Sequence, residues 1–338
     1  MTRTVFVTGA AGFIGLQVAR QLRDRGDLVI AVVRDPTSAT ELQTTGARLV
    51  QGDLGSVDSI RAAMSGADSV IHVAGTYRVG IPASERPAMY EANVGATQRV
   101  LDAAIALAIP RIVAISTVNV FGDTHGRVVD ETYRRDLRDG FLSYYDETKY
   151  LAHVATEARA QAGAPIVIVQ PGTVYGRKDH SGIGAQLLAA YKGTAPYIGF
   201  GETGISPTYV DDVAAGIIAA LERGRIGEAY VMAGENMALR DAMRVSATAA
   251  GRRPPRLSIP TIVLRIGSRL APHAGGAFGL PPDLREIVRS AAGVTFWASS
   301  AKAATELGYA TRDLATGARD AFGPATTETG SPAPSGSS

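Results

Sequence analysis

The chain predicts an α/β fold: a doubly wound parallel sheet with a smaller, mostly helical C-terminal region. Two observations carry this. Short, nearly continuous apolar runs rich in β-branched residues alternate with longer amphipathic segments through the first half. A glycine-spaced turn, TGAAGFIG at 8–15, stands where the first run passes into the first amphipathic segment. Runs apolar on both faces belong to strands covered by helices on two sides. Repeated strand–helix–strand units imply right-handed crossovers within one open sheet.

In chain order, TVFVT, LVIAVV, ARLV, SVIHVA, RIVAIS and PIVIVQ read as the buried strands. FIGLQVARQLRDRG and NVGATQRVLDAAIALA are amphipathic helices between them. Residues 173–205 are rich in glycine and turn signals; SPTYVDDVAAGIIAALERG then restores a strand edge and a helix, and GEAYVMAG a further strand. From about Asn236 the pattern is helical and irregular, interrupted by Pro-Pro at 254–255 and 281–282. The expected organisation is a Rossmann-like region over 1–172 to which 206–234 return, a substrate lobe built from 173–205 and 235–323, and a disordered tail over 324–338.

A chain of 338 residues, 46% hydrophobic, can bury a large core. Its 34 basic and 32 acidic side chains leave a formal net charge of +2, so no strong overall field favours nucleic acid or an anionic membrane. There is no cysteine, which removes disulfides and thiolate chemistry and fits a reducing, cytoplasmic setting. The five histidines lack metal-ligand spacing, so no metal site is expected. MTRTVFVTGAAGF runs straight into a strand pattern with no leader-like core. No stretch reaches the ~18 apolar residues of a membrane span. The nearest, IPTIVLRIGSRLAP, is broken by Arg265 and Arg269 and reads as a packed helix, an interfacial contact remaining the alternative.

Gly9, Gly12 and Gly15 follow the first strand and open the first helix, flanked by Thr8, Phe13 and Ile14. Glycines there permit a tight turn and bring backbone N–H groups and a helix N-terminus to a pyrophosphate. A ligand-free glycine turn is the bland alternative. Farther on, Tyr145 and Lys149 stand four apart in SYYDETKYLAH and so share a helix face. A phenol beside an ammonium is an acid–base pair: the cation and a positive nicotinamide ring both favour phenolate, which lowers the tyrosine pKa. Tyr144, whose i+4 partner is Thr148, is a decoy.

The spacing of TGAAGFIG resembles the cofactor motif of the extended short-chain dehydrogenase/reductase family. GDL at 52–54, HVAG at 72–75, NVGAT at 93–97, ISTVNVFG at 115–122, YDETK at 145–149, PGTVYG at 171–176, YVDDVAAG at 209–216 and SSAKAATELGY at 299–309 agree, over about residues 3–310. The resemblance implies that Asp53 and Leu54 border an adenine, Asp53 also being a candidate helix cap. It implies that Ala74 and Gly75 lie along the pyrophosphate and ribose, and that Asn93 sits near the active site. Ser116, Pro171 and Gly172 would support the cofactor. Aligned on Gly122, Thr117 takes the place of the family's catalytic Ser/Thr, orienting the substrate oxygen. A homodimer through helices around 86–108 and 141–162 is likewise a family expectation.

The second strand ends VVRDP, with Val33 where an NAD binder places its acid and Arg34 next. A guanidinium there can pair with a 2′-phosphate, so NADP is expected; NAD held by Asp35 is the alternative. AVVRDP and PGTVYG resemble the dihydroflavonol-reductase-like branch. The implied activity is reduction of a ketone or aldehyde, reversibly, with a small-molecule carbonyl or alcohol as substrate. Val118 and Asn119 follow Thr117 where dehydratases place Asp-Glu, which argues against sugar dehydration. A nucleotide-sugar epimerase with tightly bound NAD, using Arg177, Lys178 and Lys192, is the runner-up, and a non-catalytic NADP-binding regulator ranks below it. Tyr77, Thr117, Phe121 and Tyr175 are the expected substrate lining, with Tyr191, Tyr197 and Phe200 further candidates.

Overall fold

The computed structural model describes residues 2–270 and 283–324; the expected tail lies outside these residues apart from Pro324. Eleven strands occur in order: β1 (Thr4–Thr8), β2 (Leu28–Val33), β3 (Arg48–Gln51), β4 (Ser69–His72), β5 (Ile112–Ile115), β6 (Ile166–Pro171), β7 (Thr173–Tyr175), β8 (Gly204–Ile205), β9 (Pro207–Tyr209), β10 (Ala229–Met232) and β11 (Met237–Ala238). The helices in the sheet region are α1 (Phe13–Asp24), α2 (Thr40–Gln43), α3 (Val57–Met64), α4 (Arg86–Tyr90), α5 (Ala96–Ala106) and α6 (Tyr144–Gln161). Beyond them come α7 (Gly182–Lys192), α8 (Val210–Arg223), α9 (Leu239–Ala249), α10 (Thr261–Leu270), α11 (Leu284–Ala291), α12 (Ala301–Leu307) and α13 (Leu314–Phe322).

Seven strands form one sheet in the order β3-β2-β1-β4-β5-β6-β10, every pair parallel. The alternation of strand side chains explains why the runs read as continuously apolar. Val5 and Val7 of β1, with Val29, Ala31 and Val33 of β2, pack beneath α1, α8 and α12. Phe6, Ile30 and Val32 point to the opposite face, against α3 and α5. Both faces are covered, so the strand interiors are mostly apolar, and the buried polar positions Thr8, Ser69, His72 and Gln170 fall at or near strand ends.

The chain runs outward from β1 to β3, then returns to β4 on the other side of β1 and continues outward. The crevice at the carboxyl ends of β1 and β4 is therefore the topological switch point, where ligands bind in such sheets. A separate apolar cluster joins α7, α9 and α13 to the small pairs β7–β9 and β8–β11. The helix expected over 86–108 is interrupted: between α4 and α5 the backbone widens into a π-helical turn, Glu91–Gly95. That turn carries Asn93, and such wide turns recur at functional sites.

Candidate active site

Gly9 has φ +68°, and a Cβ on it would stand 2.7 Å from the Ala74 nitrogen. A Cβ on Gly15 would stand 2.1 Å from the Gly9 oxygen. The turn is thus pressed against the end of β4 and against α1, and only glycine fits either place. Gly12 caps α1 without a side chain, and no acid occupies the first helical turn. The first-turn N–H groups and the positive end of the helix dipole are left available to an anion. Gly9 and Gly12–Gly15 head a cleft of about 1110 Å³, lined by Gly9, Ala11 to Gly15, Val32 to Asp35, Gly52 to Gly55 and Val73 to Tyr77, and closed by Glu91, Ala92, Ala96 and Arg99; Thr8 lies buried beneath it, outside the lining.

At the outer end, Asp35 accepts from the Thr37 N–H (2.9 Å) and hydroxyl (2.6 Å), hydrogen bonds that hold its carboxyl below the ordinary range. Its carboxylate is committed to its own turn. Arg34 is exposed on the cleft, and among the described residues no hydrogen bond or ion pair involves its guanidinium. Asp53 and Leu54 line the same end. Asp53 does not cap the following helix. Its carboxylate takes the Gly55 N–H (2.9 Å), and Ser56 caps α3. Arg99, which the sequence reading did not single out, donates to the Leu54 carbonyl (2.7 Å) and pairs with Glu91, bracing the wall.

Between the glycine turn and α6 runs a buried relay. The Ala74 N–H donates to the Thr8 hydroxyl (3.2 Å), which lies 2.7 Å from His72 Nδ1. His72 Nε2 lies 2.9 Å from the Thr97 hydroxyl, which donates to the Asn93 carbonyl (2.7 Å). With the Thr97 proton spent on that carbonyl, Nε2 must be the donor and Nδ1 the acceptor. Burial, with Lys149 nearby, depresses His72 to about 3, so it is neutral and structural. The Asn93 side chain accepts from the Thr76 N–H (2.7 Å) and donates to the Thr76 carbonyl (3.1 Å) and the Thr148 hydroxyl (2.9 Å). It holds the loop segment following Gly75 against α6.

Tyr145 and Lys149 lie on α6, capped by Ser143. A Cβ on Gly75 would come within 3.9 Å of Lys149 Nζ, so the ammonium stands behind the cleft's inner end. Lys149 donates to the Ile115 carbonyl (3.2 Å), and burial lowers its pKa to about 8. Tyr145 is buried among Ile81 and Met89, with the Tyr77 ring edge-on at 4.7 Å. Its phenol departs from the expected direction. Burial pushes the pKa well above the ordinary tyrosine value, Tyr77 adds to this, and a hydrogen bond with Thr117 offsets part of it. Desolvation sets the direction here. Thr117 caps a short 3₁₀ turn; its hydroxyl accepts from the Asn119 N–H (3.2 Å) and donates to the Asn119 side-chain oxygen (3.1 Å). Ser116 pairs with His153 Nδ1 (3.0 Å).

The expected substrate lining needs correction. Tyr77 is half exposed on the cleft, but Tyr175 is fully buried, packed against Tyr209 and Phe322 with its hydroxyl against Gly317. Phe121 is buried edge-on to Tyr133, and Tyr191 packs on Phe322. These rings fill cores, since an aromatic type alone does not separate lining from packing. Pro171 and Gly172 end β6 outside the cleft lining; Gly172 is pressed against the Ser206 oxygen, where a Cβ would stand at 2.5 Å.

Two supports of α6 were also missed. Arg135 and Asp146 form a bidentate buried pair (2.7 and 3.1 Å), Asp146 also accepting from the Leu142 N–H (2.8 Å). Glu286 reaches the helix start from α11. No sequence spacing links either pair. Among the described residues no group of metal-ligating side chains occurs and no helix is long and apolar enough to cross a membrane.

A model of the NAD dependent epimerase/dehydratase family matches residues 5–233, and the chain belongs to that family, an enzyme family within the extended short-chain dehydrogenases/reductases. A Synechocystis protein provisionally named a dihydroflavonol 4-reductase is 31% identical over 77% of this chain and 76% of its own. A Stigmatella aurantiaca protein named 4-hydroxy-2-methyl-3-oxo-4-farnesyl-3,4-dihydroquinoline-1-oxide ketoreductase is 28% identical over 91% of this chain and 92% of its own. The crystal structure of gox2253 superposes with a TM-score of 0.82 at 32% identity, over 95% of this chain and 97% of that one. A Bacillus cereus UDP-glucuronic acid 4-epimerase, in complex with UDP-glucuronic acid and NAD, shares the fold at a TM-score of 0.74 and 23% identity, over 94% and 98%.

Proposed function

We propose that this protein is an NADPH-dependent oxidoreductase that reduces a ketone or aldehyde. The observation that carries the reading is the pair Tyr145 and Lys149 on α6 behind a cleft headed by the glycine turn: Tyr145 packs on the cleft residue Tyr77 and hydrogen-bonds Thr117, and Lys149 Nζ would lie 3.9 Å from a Cβ on the cleft residue Gly75. The cleft fits a dinucleotide: the bare first turn of α1 faces a diphosphate, and the free guanidinium of Arg34 suits a 2′-phosphate better than the committed carboxylate of Asp35 suits a ribose. Bound NADPH supplies the hydride. Tyr145, kept protonated by burial, donates its phenolic proton to the carbonyl oxygen. Thr117 turns its hydroxyl from Asn119 to that oxygen, and the Lys149 ammonium stabilises the negative charge left on the phenolate.

A ketone with an apolar substituent is the favoured substrate. The name of the Stigmatella relative includes a farnesyl group, and a Stenotrophomonas maltophilia relative, 29% identical over 90% of this chain, is named 2-alkyl-3-oxoalkanoate reductase. The epimerase reading loses support because Arg177 donates to the Asp320 carbonyl and Lys178 pairs with Glu41. A homodimer through α5 and α6 belongs to the same proposal: Ile105, Leu151 and Val154 leave apolar side chains exposed there. The test is a carbonyl panel followed by NADPH absorbance, with Tyr145→Phe as control. Stoichiometric NADPH consumption that vanishes in the variant is expected. Tightly held cofactor without net consumption would favour an epimerase, and binding without turnover a regulator.

A further inference from the structure

The segment from Ala242 to Pro282 contains no acidic residue and six arginines, at 244, 252, 253, 256, 265 and 269. The same segment carries four exposed large apolar side chains close together: Leu257 is 71% exposed, Ile262 61%, Val263 54% and Ile266 53%. The α10 geometry sorts these groups. At about 100° per residue, Ile262, Ile266 and Val263 fall within one arc of roughly 100°. Arg265 and Arg269 border that arc on one side. Ser268, on the opposite side, is buried, and Leu264 beside it is half buried. The helix is fixed to the body by its inner side: Arg265 donates to the Ala292 carbonyl (2.9 Å), and Arg285 to the carbonyls of Ser268 (3.3 Å) and Arg269 (3.0 Å). The preceding strand-like stretch is pinned as well, through Ile198 N–H to the Leu257 carbonyl (2.8 Å) and Ile259 N–H to the Ile198 carbonyl (3.0 Å). Arg252, Arg253 and Arg256 are exposed along it.

We propose that this face docks peripherally on an anionic lipid bilayer, with Leu257, Ile262, Val263 and Ile266 entering the headgroup–acyl boundary and Arg252, Arg253, Arg256 and Arg269 meeting lipid phosphates, Arg244 being paired with Asp241 and Arg265 turned to the body. The chemistry favours a bilayer over an acidic protein or nucleic acid. Arginines alone would serve either of those, whereas an in-plane helix with apolar residues on its outer arc and cations along the border matches an interfacial segment. Charge and apolar insertion act together here, as stable peripheral binding requires. The inference stands apart from the proposed reaction, although an apolar carbonyl substrate would partition into the same membrane.

The experiment is co-sedimentation of the full chain with large vesicles of phosphatidylcholine alone and of phosphatidylcholine with phosphatidylglycerol. The protein should pellet with the anionic vesicles and not the neutral ones, and high salt should release it. Ile262→Asp with Ile266→Asp should weaken binding by about tenfold or more, and each of Arg253→Gln and Arg256→Gln by roughly fivefold. These side chains are exposed, and an unchanged melting curve and unchanged NADPH binding will show that the variants fold. Wild-type protein that stays in the supernatant with anionic vesicles, or variants that pellet as the wild type does, would overturn the proposal. So would loss of a dimer in Ile262→Asp without any vesicle binding, which would assign the face to a second copy.

Discussion

The carboxylate of Glu286, on α11, accepts a hydrogen bond from the backbone N–H of Tyr144, 3.1 Å away and one residue before Tyr145. The same carboxylate accepts from the Gly80 N–H (3.3 Å) and from Arg86 (3.3 Å), and Glu286 is 3% exposed. Gly80 has φ +74°, and a Cβ on it would press on Ile287 at 2.9 Å. One buried acid thus ties the first turn of α6 to the loop whose Tyr77 and Ile81 cover Tyr145.

Glu286→Ala should cost about 2–3 kcal/mol, because buried N–H donors lose their acceptor. The turnover number should fall while NADPH affinity, set at the far end of the cleft, stays within a factor of about two. Glu286→Gln keeps an acceptor and should recover most of both. Thermal melts and steady-state kinetics on the three proteins decide; equal damage from Gln and Ala would refute the hydrogen-bond account.

Arg135→Met should destabilise the fold by about 3–5 kcal/mol, since it leaves the buried Asp146 carboxylate without its partner. Adding Asp146→Leu should restore part of that loss. Urea denaturation of both variants measures the difference.

Lys149 loses its proton as pH rises through about 8. Since Tyr145 is held protonated well beyond that, the reduction rate should decline on the basic side with the lysine, not the phenol. Lys149→Arg keeps a cation at high pH and should carry the declining limb upward. A pH profile of kcat/KM with an unmoved limb would reassign it.

His72 is neutral in the fold and depressed from 6.5 to about 3, so it contributes stability above 6.5 that is lost progressively as pH falls toward 3. The unfolded chain binds the extra proton in that window, which makes stability rise with pH there. The loss at the acid end is on the order of 4 kcal/mol. His72→Gln should flatten the acid limb of a melting-temperature curve. An unchanged slope would place the titration elsewhere.

Arg34→Ala should raise the Michaelis constant for NADPH by tenfold or more, in line with loss of a charge-assisted contact of about 1.5–3 kcal/mol, and change that for NADH little. Equal effects on the two would reject the 2′-phosphate assignment.

The parallel, doubly wound sheet was legible because each central strand is largely apolar on both faces and amphipathic helices alternate with the strands; the strand order was not. The glycine cradle was legible because Gly9 and Gly15 occupy places where any Cβ collides with backbone. Tyr145 and Lys149 stood out through helical spacing taken together with the glycine turn and ISTVNVFG upstream. What escaped was contact between distant segments: Glu286 meets a helix start 142 residues earlier. Arg135 meets Asp146 across an irregular loop. Tyr175 and Phe121 were misplaced because a phenyl ring looks the same in sequence whether it lines a cleft or fills a core. The phenol's pKa shifted opposite to expectation because a sequence reveals the neighbouring cation but not the depth of burial.

The position of Glu286 also sets an order of assembly. As the chain emerges during synthesis, the nucleotide cradle is complete long before α11 leaves the ribosome, while the brace under the proton donor arrives among the last. Tests of truncated forms should therefore separate two abilities: holding the coenzyme, and using it.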